Sequence, residues 1–473
     1  MTNKRSQPTT PLAVIILAAG LGTRMKSDLP KVLHAVCGRP MLAYVLDAAH
    51  DLAPARIVVV TGEDQDEVAA LLPQGCERAV QHRRLGTGDA VRVGLEPLKA
   101  FTGDVMVLYA DVPLVDAAFV HDLLETHRGE AGVATLTTVV TDDPAAYGRI
   151  VRDAAGRVAR IVESKDASRE ERELREINVG AYVFDAASLR AALERLQADN
   201  AQGELYLTDV ISLLLDAGDA VGSFVADDPE VCLGVNSRVE LAVINAAMRR
   251  RLLERLMLEG VTVEDPETTY VDWGVEVGRD TVLRPHTHLL GRTTVGAASD
   301  IGPSTYLKNA FIGDGARVVA SFCYDCVVSS GCSIGPFAYI RPNTVLAEGA
   351  KAGTFVEIKN SRVGERSKVP HLSYVGDALI GRDTNLGAGN ITANYDGLEK
   401  HPTTIGNEVK TGSDTTFVAP VNVGDGAFTA AGSVITRDIP PGGLGVARSR
   451  QENVEGYAAR RERRRRKADE EGK

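Results

Sequence analysis

Between about residues 261 and 439, apolar residues return at every sixth position, and this spacing restricts the possible fold more than any other feature of the chain. One run is Val277, Leu283, Leu289, Val295, Ile301, Leu307. A second is Ile334, Ile340, Leu346, Ala352, Ile358, and a third is Ile405, Thr411, Phe417, Val423, Thr429, Ile435. A period of six matches neither the helical repeat nor simple strand alternation. It fits a parallel β-helix, in which each hexapeptide forms one face of a coil and its apolar residue points inward. Many of these apolar residues are followed by Gly. Phase slips near Ile312, Val363, Ile380 and across residues 393–401 are expected to be loops or corners let into the stack.

The first half is patterned differently. Strands are expected at residues 14–17, 57–60, 105–109, 133–140 and 179–184, with amphipathic stretches such as 41–50 and 119–127 between them. Continuous Val/Ile/Leu runs alternating with helices indicate a mainly parallel sheet covered on both faces, an α/β fold. Residues 237–260 read as one long helix. Leu241, Ile244, Met248, Leu252 and Leu256 share a face, Ser237 is the candidate N-cap and Gly260 the stop. The expected organisation is an α/β domain over 1–236, a linker helix over 237–260, a β-helix over 261–448 and a basic tail over 449–473. That tail carries the block RRERRRRK at 460–467, read as a solvated end without order rather than a nucleic-acid arm.

Composition excludes several classes. With 53 Lys+Arg against 64 Asp+Glu the formal net charge is −11, which disfavours an extended nucleic-acid surface while allowing a local basic loop to bind phosphates. No apolar run approaches the ~20 residues of a membrane span, and the polar start MTNKRSQPTTP lacks the apolar core of a secretory signal. The expected location is therefore the cytoplasm. Six cysteines in 473 residues do not make a disulfide scaffold. Cys323 and Cys326, with Cys332 nearby, raise the question of zinc; no second pair completes a set, so buried small residues at repeat corners are the plainer reading.

The candidate chemistry of the first half starts where its first strand ends, at Leu17-Ala18-Ala19-Gly20-Leu21-Gly22-Thr23-Arg24, with Lys31 following Pro30. A Gly-rich turn at the carboxyl end of a parallel strand exposes backbone N–H groups to which phosphates can come close. A dinucleotide fingerprint would need Gly in place of Met25, and so would a P-loop begun at Gly20. What remains is a phosphate loop with two cations, Arg24 and Lys31, or a plain strand-to-helix turn.

The string LAAGLGTRMKSDLPK resembles the signature of sugar-nucleotide pyrophosphorylases. Gln81 with Leu85-Gly86-Thr87-Gly88, Tyr109-Ala110-Asp111-Val112-Pro113-Leu114, Tyr147-Gly148-Arg149-Ile150, Ile161 to Asp166, Glu176 to Gly180 and Gly234-Val235-Asn236 continue the likeness in order. Taken with the hexapeptide half, the pattern from about Leu12 to Arg448 resembles the bifunctional N-acetylglucosamine-1-phosphate uridylyltransferase/glucosamine-1-phosphate N-acetyltransferase family. The resemblance implies a Rossmann-like mixed sheet, a connecting helix and a left-handed parallel β-helix, in a homotrimer of the cytoplasm that feeds peptidoglycan and cell-wall synthesis.

The resemblance also implies site residues. Leu17, Ala18, Ala19, Gly20, Gln81, Gly86, Thr87, Tyr109 and Ala110 would hold UTP. Asp111 and Asn236 would ligate Mg²⁺, and Gly148, Glu163 and Asn178 would hold the sugar, while Arg24 and Lys31 neutralise the transferring phosphate. In the second half His371, in VPHLSYVGD, would be the base for acetyl transfer from acetyl-CoA. Arg341, Lys359, Tyr374 and Asn385 would hold the amino-sugar phosphate, and Ala388, Asn394, Tyr395, Ser413, Ala431 and Arg448 the acetyl-CoA. Two positions depart from the related sequences. Ala110 replaces a usual Gly and is expected to crowd the metal-binding strand, and Asp89 replaces a common His and is expected to add negative charge beside the nucleotide. The partners implied are small molecules, without nucleic acid or membrane. A monofunctional nucleotidyltransferase with a scaffolding solenoid, and a non-catalytic sugar-nucleotide sensor, are the rival readings.

Overall fold

The computed structural model of the protein describes residues 10–130, 132–142, 144, 147–198 and 203–471; residues 1–9 of the polar N-terminus read above as lacking a signal lie outside them. The chain divides into two compact units, up to Glu254 and from Arg255 onward.

In the first unit the strand Leu12–Leu17 is buried along its whole length. Its alternate residues feed two cores: Val14 and Ile16 pack on one side of the sheet, Ala13 and Ile15 on the other. That is why this segment reads as unbroken apolar sequence. The main sheet runs in the order Val221–Val225, Ala134–Val140, Glu176–Asp185, Asp104–Tyr109, Leu12–Leu17, Arg56–Gly62, Cys76–Gln81. Leu12–Leu17 pairs in parallel with both its neighbours, and Glu176–Asp185 is antiparallel to both of its own. The sheet is therefore mixed, and all five expected strands are present. Leu17, Tyr109 and Gln81 sit at carboxyl ends of parallel strands, the edge where open α/β sheets place ligands.

The long helix spans Arg238–Leu258. Ser237 and Glu240 cap its start reciprocally: Glu240 N–H donates to Ser237 Oγ (3.4 Å), and Ser237 N–H to Glu240 Oε2 (2.7 Å). Ile244, Met248, Leu252 and Leu256 are buried as the periodicity requires, and Gly260 ends the segment at φ 99°.

The second unit is a parallel β-helix of three faces. On one face Leu283, Ile301, Val318, Ile334, Ala352 and Val369 are successive register partners, so a coil takes eighteen, seventeen or sixteen residues. These residues are almost wholly buried, and the interior is a column of branched side chains. On the third face Val295, Ile312 and Val328 stack, each followed by a corner. A Cβ at Gly296 would sit 2.6 Å from the backbone N of Asp314 in the next coil, and one at Gly381 2.6 Å from that of Asn407. The glycine after the inward residue is therefore a requirement of close coil stacking.

Two expectations need correction. At Ile312, Val363 and Ile380 nothing is inserted: the face is one residue shorter, five positions after Leu307, Ile358 and Val375, and the ladder continues in register. The 393–401 stretch is a true excursion, closed by a bridge between Tyr395 and Lys400. The basic tail is not irregular either. Residues Tyr457–Glu471 form a helix exposed throughout, because Ala, Arg, Glu and Lys favour helix, aided by a Glu462–Arg466 pair one turn apart.

Candidate active sites

The first site is a cleft with two lobes at the carboxyl edge of the sheet. One lobe, of about 460 Å³, is lined by Leu17, Ala18, Ala19, Gly20, Lys31, Gln81, Gly86 and Thr87 among others. The second, of about 380 Å³, is lined by Gly148, Glu163, Asn178, Tyr147, Lys165 and Thr208. Thr87, Tyr109, Asp111 and Asn236 belong to both lobes and mark where they meet.

Backbone geometry holds these groups in place. Gly22 has φ 63°, and a Cβ there would strike the Lys31 side chain at 2.6 Å, so the loop packs glycine against the lysine stem. Lys31 Nζ in turn bonds Asp111 Oδ2 and, at 3.3 Å, Asn236 Oδ1. Asn236 is steadied from behind by its own N–H donating to Glu240 Oε2 at 2.6 Å. A carboxylate and an amide oxygen thus converge on one cationic centre at the junction of the lobes. Gly180, beside a register shift in the central strand, leaves room for Tyr109: a Cβ there would meet the ring at 2.5 Å. Gly86 (φ 118°) fits against Leu205, whose carbonyl accepts from Gly88 N–H at 2.8 Å.

The second lobe sets the carboxyls of Asp111 and Glu163 against the ammonium of Lys165, and Asp209 lies near Glu163. Burial raises the Glu163 carboxyl against the pull of its hydrogen bond from Thr208 (3.0 Å). Burial, helped by Glu163 and Asp166, pushes Asp209 up to about 6. Asn178 Nδ2 donates to Tyr182 Oη at 2.7 Å, while its buried Oδ1 has no partner among the described residues and remains an acceptor.

Three positions singled out in the sequence line neither lobe. Arg24 is exposed on the short turn Thr23–Met25, whose buried anchor is Met25, and lines neither lobe. Ala110 lies wholly in the apolar core at the end of the strand Asp104–Tyr109. Asp89 is buried behind the lining, paired with Arg92 and accepting from Gln81. Conversely, Arg84, Glu204, Tyr147, Lys165 and Thr208 line the cleft without having been singled out. Arg84, whose Nε donates to Ala19 O at 2.7 Å, stood next to the glycine segment and could have been noticed.

The second group of residues lies on the β-helix wall. Arg341, Lys359 and Gly376 each follow an inward residue on successive coils of one face. Arg341 pairs with Glu357 (2.7 Å) and its buried Nε has no partner among the described residues. Tyr374 Oη and the Asn394 amide close over Gly376, where a Cβ would meet them at 2.5 and 2.7 Å. Asn394 also bonds Asp377. Burial opposes ionisation of Asp377, but hydrogen bonds from Asn360 and Asn394 and the charges of Lys359 and Lys400 prevail and hold it low. His371 ends the strand Lys368–His371 at the adjoining corner, its ring exposed and its carbonyl tied to Ser373 Oγ (2.7 Å) and Gly389 N (3.1 Å). Asn385 bridges Lys368 and Lys410 on the neighbouring face. Ala388 and Ser413 belong to a corner column, their carbonyls accepting from Asp414 and Gly432; Ala431 abuts Gly412, and Arg448 lies near Gly432. Tyr395 is exposed on the excursion. The cysteines Cys323, Cys326 and Cys332 are buried, Cys323 in register with Leu307 and Ile340. Its thiol is raised far above the usual range by its contact with Cys326 and by burial, and no cluster of three metal-ligating side chains occurs among the described residues.

Fold and cleft together define a nucleoside-triphosphate transferase unit followed by a parallel β-helix. Residues 14–206 match the family model of the MobA-like NTP transferase domain. The chain is 50% identical to the bifunctional protein GlmU of Mycobacterium sp. (strain KMS), over 96% of this chain and 92% of that one. It is 49% identical to the GlmU of Streptomyces avermitilis over 95% of each, and 47% identical to that of Corynebacterium aurimucosum over 96% and 94%. The chain belongs to the GlmU family of bifunctional enzymes.

Proposed function

We propose that the protein makes UDP-N-acetylglucosamine in two steps, acetylating glucosamine-1-phosphate on its β-helix and then uridylylating the product in its two-lobed cleft. The observation that carries the second step is the junction of the lobes. A nucleotide in the lobe of Gly20, Gln81 and Thr87 and a sugar phosphate in the lobe of Gly148, Glu163 and Asn178 meet beside Lys31, Asp111 and Asn236. The sugar-phosphate oxygen attacks the α-phosphorus of UTP and pyrophosphate leaves. Lys31 supplies positive charge to the α-phosphate, and Asn178 Oδ1 accepts from a sugar hydroxyl or amide. The oxygens of Asp111 and Asn236, which already share one cation in Lys31, form a hard donor pair fit for Mg²⁺. Mg²⁺ bound there supplies charge neutralisation to the phosphates.

For the first step His371 removes a proton as the amine of glucosamine-1-phosphate attacks the thioester carbonyl and the CoA thiolate departs. Arg341, Lys359, Tyr374 and Asn385 receive the sugar phosphate; Ala388, Asn394, Tyr395, Ser413, Ala431 and Arg448 receive acetyl-CoA. These groups stand along an open wall, which supports a homotrimer in which a neighbouring copy closes the site. The protein works in the cytoplasm on small molecules; no helix among the described residues is long and apolar enough to cross a membrane. The test is thiol release from acetyl-CoA with and without glucosamine-1-phosphate. Sugar-dependent release is the expected result. Its absence, from folded protein that still releases pyrophosphate from UTP and N-acetylglucosamine-1-phosphate, would reduce the β-helix to a scaffold.

A further inference from the structure

The Gln81 side chain is fixed from one direction. Its Nε2 donates to Asp89 Oδ2 at 2.8 Å and to the Gly86 carbonyl at 3.2 Å. Neither a carboxylate nor a carbonyl has a hydrogen to give, so the half of the amide facing them must be the NH₂ group. The carbonyl Oε1 is then turned the other way, and Gln81 lines the nucleotide lobe. Asp89 is itself immobile: it is 4% exposed, stands in the first turn of the helix Thr87–Leu95, and its second oxygen is taken by Arg92. A glutamine without such a partner turns about its last bond and offers either an acceptor or a donor. This one offers an acceptor only.

We propose that Asp89 is a positioning residue that sets base specificity, locking the Gln81 amide so that only a base edge with a ring N–H donor is accepted; this rests on the reading of the first lobe as the nucleotide site. Uracil presents that edge, its N3–H lying between two carbonyls. Cytosine presents a bare ring nitrogen there, so its lone pair would face the lone pairs of Oε1. An acceptor that cannot turn rejects cytosine by repulsion as well as by a missing hydrogen bond, the asymmetry on which sharp discrimination depends.

The experiment is the ratio of kcat/KM for UTP to that for CTP, with N-acetylglucosamine-1-phosphate as acceptor. Asp89→Asn keeps the shape but offers either an oxygen or an NH₂ to Gln81, and Asp89→Ser withdraws the carboxylate altogether; in both, the longer bond to the Gly86 carbonyl is the contact left to orient the Gln81 amide. The expected result in both is a ratio lowered about tenfold or more, the loss of roughly one oriented hydrogen bond, while acetyl transfer by the β-helix continues as the check on folding. A merely structural Asp89 would lower both nucleotides together, and an unchanged ratio overturns the proposal. Gln81→Ala separates this from the underlying reading. If that variant also leaves the ratio unchanged, the lobe does not read the base through Gln81. If it collapses the ratio while the Asp89 variants do not, only the role of Asp89 falls.

Discussion

The two units solve the problem of placing functional groups in opposite ways. In the α/β unit the groups at the cleft come from segments far apart in sequence, Gly20, Gln81, Asp111, Glu163 and Asn236, gathered because strand ends converge at one edge of the sheet. In the β-helix they come from neighbouring coils, Arg341, Lys359 and Gly376, brought together by a repeat of sixteen to eighteen residues. The first arrangement encloses a cavity, the second displays a ladder on an open wall. A sheet edge therefore recruits distant residues into one pocket, and a solenoid repeats one position along a line.

The sharpest break between the units comes from removing one site at a time. His371→Ala should lower acetyl transfer about 10²–10⁴-fold, the contribution of a general base, with uridylyl transfer to supplied N-acetylglucosamine-1-phosphate unchanged. Separate assays of thiol and pyrophosphate release check this, and parallel loss of both would show that the units do not act independently. Lys31→Ala should lower pyrophosphate release about 10²–10³-fold, as expected for loss of a charge aimed at the transferring group, and spare thiol release. Lys31→Arg should recover only part, since a planar guanidinium does not place a compact charge where Asp111 and Asn236 converge on the ammonium.

Stability should differ in reach as well. Ile340→Ala, in the wholly buried column, should cost about 2–5 kcal/mol, and hydrogen exchange should quicken in the adjoining coils and little elsewhere, as nearest-neighbour stacking requires. The smallest effect concerns Asp209. Its carboxyl is raised to about 6 in the folded chain, so its favourable contribution is complete below the ordinary value of 3.8 and is lost as pH rises through 6. Asp209→Asn should therefore stabilise the first unit above pH 6 by about 1 kcal/mol, a figure reduced for its partial exposure. Thermal melts should show the gain at pH 7.5 and its disappearance near pH 4.

The solenoid was legible because its inward residues repeat at a fixed interval; even the five-residue steps at Ile312, Val363 and Ile380 show as slips in the pattern, though a slip alone does not distinguish a shortened face from an insertion. The phosphate loop was legible because glycine spacing next to a strand has few other meanings. The exposure of Arg24 outside both lobes was not legible, because a sequence records only that a cation lies in the loop, whereas the buried Met25 beside it anchors the turn. Asp89 was legible only in part: its charge was visible in the sequence but its pairing with Arg92 and Gln81 was not.

The sequence by itself determined the period of the β-helix, the alternation of strand and helix in the first half, the capped helix from Ser237 and the order of the candidate groups. These are local, written in spacing and in the demands of glycine and caps. Only the tertiary structure decided that Lys31, Asp111 and Asn236 share one point, that Thr87 and Tyr109 join two lobes, and that Asp89 holds Gln81 by its NH₂ group. Such relations depend on strand register and on which side of a packed core each side chain must leave, and those are set by the whole sheet at once.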